Sequence, residues 1–204
     1  ATLGTLYCEY EAYRDLKKAK AYLELAANNE HRIAALNLGL ILRQEKEIED
    51  AEKSRFWLET AANQNDPEAC FILGMDYCKG AKTTSGQTIV DKDLERSIFW
   101  LTKSADLGDI TAQTMIGTIL YDEKNENPLR NREKGVTYLR KAAKQGETHA
   151  QALLGCILCT DQNNIDEAMQ WLTNAADKGY LVAQKTLGAI YKEKKGYKNL
   201  DKAK

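Results

Sequence analysis

Residues 168–191 read AMQWLTNAADKGYLVAQKTLGAIY. Small Ala168, aromatic Trp171, Leu172 and the pair Ala175-Ala176 stand at offsets of three, four, seven and eight along one stretch. Those offsets fit a helical period and not a strand. Gly179 stands third after the pair, where a left-handed residue ends a helix. Ala183, Leu187, Gly188 and Tyr191 then mark one side of a second helix. The stretch therefore predicts a helix, a tight turn and a second helix.

The same arrangement recurs along the chain. Alanine or Ser-Ala pairs end at Ala27, Ala62, Ala105, Ala143 and Ala176, and twelve residues after each stands Gly39, Gly74, Gly117, Gly155 or Gly188. Gly4 opens the series. From each glycine to the next pair the interval varies, at 23, 23, 31, 26 and 21 residues. A fixed interval means two elements locked by packing, and a variable one means a surface loop that accepts insertions. Such regularity is the signature of a repeat array.

Five residues before the second alanine stand Tyr22, Trp57, Trp100, Tyr138 and Trp171, each followed by leucine. Eight residues before it the side chain is small: Ala19, Ser54, Ser97, Gly135 and Ala168. Five residues before the glycine is always alanine: Ala34, Ala69, Ala112, Ala150 and Ala183. Each repeat thus has a helix A, carrying the glycine, and a helix B, carrying the alanine pair. Glycine within a helix costs about 1 kcal/mol relative to alanine, so its recurrence implies a backbone approach that a methyl group would block. Four of the five turns place Asn or Gly third after the pair. Glu30 is the exception.

Leu187-Gly188-Ala189-Ile190-Tyr191, Leu3-Gly4-Thr5-Leu6-Tyr7 and the helix B motif of residues 168–179 resemble the Sel-one-like repeat (SLR) family, a relative of tetratricopeptide repeats with a longer, more variable unit. The resemblance covers essentially the whole chain. Leu42, Leu120 and Leu158 replace the motif tyrosine, and most A-to-B loops lack the usual Gly-x-Gly. The resemblance implies an all-α protein: a right-handed α/α solenoid of about five and a half repeats, near 1–30, 31–66, 67–109, 110–147, 148–180 and an incomplete 181–204. It also implies an adaptor role. Many members are bacterial, and several meet host or envelope partners. The chain opens inside a helix A and stops inside a helix B, so it reads as a fragment of a longer protein.

Composition narrows the function. The 29 basic and 30 acidic residues nearly balance, which argues against nucleic acid as a partner, since that usually wants a basic stripe. No apolar run is long enough for a membrane span. Cys8, Cys78 and Cys159 each stand four residues after a repeat glycine, in alternate repeats. They should lie beyond the ~7 Å Cα reach of a disulfide. Cys156 and Cys159 share one helix, where a bridge would be strained. Free thiols are expected, which leans toward a reducing compartment.

No catalytic, cofactor or metal site emerges. His149 and Cys156 stand two helical turns apart, roughly 10 Å, too far to share an ion or act as nucleophile and base. Some SLR proteins carry a β-lactamase label, but the Ser-x-x-Lys, Ser-Asp-Asn and Lys-Thr-Gly elements of that chemistry do not occur. Residues 79–86, KGAKTTSG, lack the Gly-Lys-Ser/Thr ending of a phosphate loop and read as a solvated loop in the longest insertion. The tryptophans, sharing one helix B position, read as core.

What remains is binding. The tetratricopeptide-like resemblance implies that helix A lines the concave side. Packing positions there are fixed, while offsets −3, +1, +4 and +5 from the glycine vary in chemistry. They supply Phe71, Met75, Arg43, Cys78, Tyr121 and Asp122, apolar anchors with a cationic contact suited to a protein or peptide partner. The expected function is a non-catalytic interaction scaffold. The alternative is a structural spacer or regulatory segment of a larger enzyme or envelope complex.

Overall fold

The computed structural model describes residues 15–44, 48–82, 88–121, 128–160 and 164–193. The chain divides into two compact units, Ala1–Ala112 and Gln113–Lys204. In order the elements are α1 (Leu16–Asn28), α2 (Arg32–Leu42), α3 (Ile48–Asn63), α4 (Pro67–Lys79), β1 (Ala81–Lys82), β2 (Thr88–Val90), α5 (Leu94–Asp106), α6 (Ile110–Tyr121), α7 (Arg132–Lys144), α8 (Thr148–Leu158), α9 (Ile165–Asp177) and α10 (Leu181–Glu193). Odd-numbered helices carry the alanine pairs and even-numbered ones the glycines. Within each unit the fold is an all-α solenoid of stacked helix pairs.

Every helix B ends in the same way. In α1, the N–H of Glu30 donates to Ala27 O and that of His31 to Ala26 O, at 3.0 and 3.1 Å. Asn65 and Asp66 bond Ala62 and Ala61 in the same manner, as do Gly108 and Asp109 with Ala105 and Ser104. In the second unit Gly146 and Glu147 bond Ala143 and Ala142, and Gly179 and Tyr180 bond Ala176 and Ala175. This paired 6→1 and 5→2 closure requires a left-handed residue. Its φ is 100°, 88° and 84° at the three glycines and 61° at Asn65, and Glu30 adopts it too, at 60°. Glu30 therefore obeys the turn rule and carries the steric cost of its Cβ there.

The next residue starts helix A. The side chains of His31, Asp66, Asp109 and Glu147 accept from the N–H of Ala34, Ala69, Ala112 and Ala150, which caps the helix. Those alanines, and Ala183, are fully buried. Closure, cap and buried alanine stand three, four and seven residues after the pair, so no residue can be added without breaking one of them. That is the physical content of the twelve-residue interval.

The glycines are where helix A meets helix B of its own repeat. A Cβ on Gly39, Gly74, Gly117 or Gly155 would stand 2.6–2.9 Å from the Cγ of Leu58, Leu101, Leu139 or Leu172. These leucines, with Leu23, are almost wholly buried. The small row lies against the glycine too: Ser54 and Ser97 donate their hydroxyls to Gly39 O and Gly74 O at 2.7 and 2.8 Å. A Cβ on Gly135 would come within 2.8 Å of Gly117 O. Gly188 has no described neighbour within 4 Å of the same point.

Two of the elastic segments also share an ending. Asp93 and Asn131 donate their N–H groups to Tyr77 O and Leu120 O, each at 2.9 Å, and their side chains cap α5 and α7. The longest insertion contains a two-stranded antiparallel ribbon, β1 with β2, that buries Val90. The segment expected to be simply solvated is thus pinned at its base.

The aromatic row is less uniform than its spacing implies. Trp57 and Tyr138 are buried, Trp100 and Trp171 are half-buried, and Tyr22 is 43% exposed. An indole that keeps its N–H near the surface explains part of this: Trp171 Nε1 donates to Glu167 at 3.1 Å.

Candidate functional site

Phe71, Met75 and Cys78 follow one another at i, i+4 and i+7, so they share one face of α4. All three are half-buried. Offset −3 is mainly a packing row, since Leu36, Thr114 and Ala152 are buried there. Only Phe71 in that row opens outward as a large apolar side chain.

Arg43, just past α2, bonds to α4 through a fork at Asp76. Its Nη1 and Nη2 donate to Asp76 Oδ2 and Oδ1 at 2.6 and 2.5 Å. Both donors are used in parallel, the geometry in which guanidinium and carboxylate fit best. The Asp76 bond holds the Arg43 guanidinium more firmly in its charged form, above its ordinary pKa. The Arg43 side chain remains 44% exposed while that of Asp76 is only 11% exposed. So Arg43 ties two repeats together while its side chain stays partly exposed.

Tyr121 closes α6 in the second unit, half-buried, with the Arg132 guanidinium 5.4 Å from its ring centroid. Asp122 and Cys8 lie outside the described residues. Phe71, Met75, Cys78 and Arg43 thus belong to the first unit, and Tyr121 belongs to the other.

The thiols and histidines have local partners. Cys70, Cys78, Cys156 and Cys159 are reduced, with no disulfide among the described residues. Cys156 Sγ lies 3.7 Å from Thr186 Oγ1. Burial pushes the Cys70 thiol up to about 11, and it points to Ala62 O at 3.7 Å. His149 Nδ1 lies 2.5 Å from the Tyr180 hydroxyl, directed away from catalytic use with a cysteine. Among the described residues no group of three His, Cys, Asp or Glu is placed to hold a metal ion. No described helix is long and apolar enough to cross a membrane.

One cluster escaped the sequence reading. Tyr77 occupies the motif tyrosine position, three residues after Gly74, and its hydroxyl accepts from Arg55 at 2.6 Å and Arg96 at 3.2 Å. Both guanidinium carbons also lie near its ring, 5.5 and 5.4 Å from the centroid, within cation–π range. The available signal was the presence of tyrosine at Tyr77 where the neighbouring repeats have Leu42 and Leu120.

The Sel1 repeat family model matches residues 3–31, 33–66, 67–109, 110–147 and 148–180. Similar solved structures include a Sel1 repeat protein from Oxalobacter formigenes, 29% identical with a TM-score of 0.69, over 98% of this chain and 81% of that one. Another is a protective antigen of uropathogenic Escherichia coli strains displaying an SLR fold, 32% identical with a TM-score of 0.68, over 93% of this chain. The chain spans 40% of that antigen's length. No curated protein matches it.

Proposed function

From its membership of the Sel1 repeat family, a family of repeat scaffolds, we propose that this chain is a non-catalytic adaptor that binds a protein or an extended peptide on its helix A face. One observation carries the reading. Packing positions hold nearly constant residues, while Arg43, Phe71, Met75 and Cys78 differ in type and are all partly open to solvent. Met75 adds an adaptable apolar contact of the kind common on surfaces that accept varied partners. Phe71 adds a larger apolar anchor, and Arg43 presents charge already fixed in direction by Asp76. On the second unit Tyr121, with Asp122, extends the same row of offsets.

Partner capture tests this. Met75→Glu with Tyr121→Ala should weaken capture from lysate while leaving the thermal melt within about 1 kcal/mol of wild type, as for partly exposed sites. Arg43→Glu is the poorer probe, because it would set two carboxylates together at Asp76. Unchanged capture by the double variant, with loss on altering the 79–91 or 122–131 loops, would move binding to the loop rim. A wild-type chain that captures nothing would favour the spacer role.

A further inference from the structure

The cluster around Tyr77 stands at the floor of a groove between α3 and α5, and it points to a second binding surface. The groove, about 350 Å³, is walled by Arg55 and Glu59 on α3 and by Arg96, Phe99 and Trp100 on α5. Its chemistry is divided. At one end two guanidiniums converge on one phenol oxygen. At the other, Phe99 is 59% exposed and stacks edge-on against Trp100, ring centroids 5.0 Å apart. Outside the groove lining, Lys103 lies 5.4 Å from the Trp100 ring centroid and is bonded to Ala62 O at 2.6 Å.

The donor count leaves capacity for a ligand. A guanidinium has five N–H donors. Arg55 commits two, to Glu59 and Tyr77, and Arg96 engages two, with Tyr77 and Asp93. The Tyr77 oxygen accepts from both, so its own proton is left to donate, and no described residue receives it. Glu59 and Asp93 offset part of the positive charge from α3 and α5, but each contacts Nε, and with one outer nitrogen of each guanidinium on Tyr77 the other stays available. A buried phenol held by two cations is a rigid floor, so little order is lost when an anion binds.

We propose that this groove binds an acidic peptide segment, placing a carboxylate on Arg55, Arg96 and the Tyr77 hydroxyl and an adjacent apolar side chain against Phe99 and Trp100. A carboxylate fits the converging donors in charge and geometry. An exposed phenylalanine beside a half-buried tryptophan supplies the aromatic anchor usual at a binding hot spot. The helix A surface of the preceding section is built from other residues, so the two proposals stand or fall separately.

The test uses a fluorescein-labelled peptide of sequence Gly-Glu-Phe-Glu-Leu-Gly and its Gln-for-Glu counterpart, titrated with the whole chain by anisotropy at low salt. The acidic peptide should bind roughly tenfold or more tightly than the neutral one, the size expected for hydrogen bonds to charged groups. Arg96→Gln and Tyr77→Phe should each remove most of that preference, and Phe99→Ser should weaken both peptides. Arg140→Gln, the same charge change in the second unit, should alter neither. Tyr77→Phe keeps the buried ring, so it tests the hydroxyl even if larger changes unfold the repeat. Equal affinity for the two peptides, or full retention of the preference in Arg96→Gln and Tyr77→Phe, overturns the proposal. So does competition by inorganic phosphate at concentrations as low as the peptide's, which would mark a simple anion site.

Discussion

Replacing Gly155 with alanine should lower stability, although alanine is the better helix former. At Gly155 the added methyl would lie 2.6 Å from Leu172 Cγ, 2.9 Å from Cδ2 and 3.1 Å from Ala168 O. Carbon atoms pack comfortably at about 3.5–4.0 Å, so the overlap is near 1 Å. Leu172 is fully buried, so the relief must come from its rotamer or from parting α8 and α9. Overpacking of this kind costs about 1–3 kcal/mol, and alanine returns about 1 kcal/mol of helix propensity. Gly155→Ala should therefore lose up to about 2 kcal/mol by combining these terms. Urea melts followed by circular dichroism and by tryptophan fluorescence would read the loss. With m near 2 kcal/mol/M, the variant should fall by up to about 1 M in midpoint. A midpoint above that of wild type would show that this contact does not set the helix spacing.

Three further outcomes follow from the geometry. Glu30→Gly should raise stability by about 1 kcal/mol by relieving a left-handed residue that carries a Cβ, read as a higher urea midpoint; a loss would mean that the Glu30 side chain makes a compensating contact. Ser97→Ala should cost about 0.5–1.5 kcal/mol by removing the buried bond to Gly74 O, checked by the same melt. Cys70, fully buried with its thiol pushed up to about 11 from an ordinary 9.0, favours the neutral form in the fold. Its contribution should be intact below about pH 9 and lost as pH rises toward 11, so the midpoint difference between wild type and Cys70→Ala should narrow over that range. Native alkylation should reach Cys78 well before Cys70, and equal rates would place Cys70 in an open repeat.

The helix order and the glycine contacts were legible because each repeat solves one packing problem with one set of residues. Leu58, Leu101, Leu139 and Leu172 appear at fixed intervals since each must meet its glycine. The aromatic row was read too evenly, because spacing places Tyr22 and Trp57 alike but does not say how much neighbouring chain covers each. A second regularity went unread: Asp15, Asp50, Asp93, Asn131 and Asn164 all stand twelve residues before the second alanine. Three of them, Asp15, Asp93 and Asn131, cap a helix B. The β-branched run Thr88-Ile89-Val90 was the signal for the ribbon. The Arg43–Asp76 fork and the Tyr77 cluster join residues 19 to 33 positions apart, on side chains that do not recur from repeat to repeat. No periodicity predicts such pairs.

The fastened ending of the long A-to-B insertion makes this chain suited to carrying foreign sequence. In the long insertion, everything that varies lies between the carbonyl of Tyr77 and the cap at Asp93, which that carbonyl fastens by a 2.9 Å bond. The β1–β2 pair holds the two stems of the insertion side by side. An epitope or a small folded module spliced between Lys82 and Thr88 would be presented from fixed stems, with both helices on either side keeping their caps. Lengthening a surface loop costs only about 0.6 kcal/mol per doubling, so display would consume little of the stability that the repeats supply.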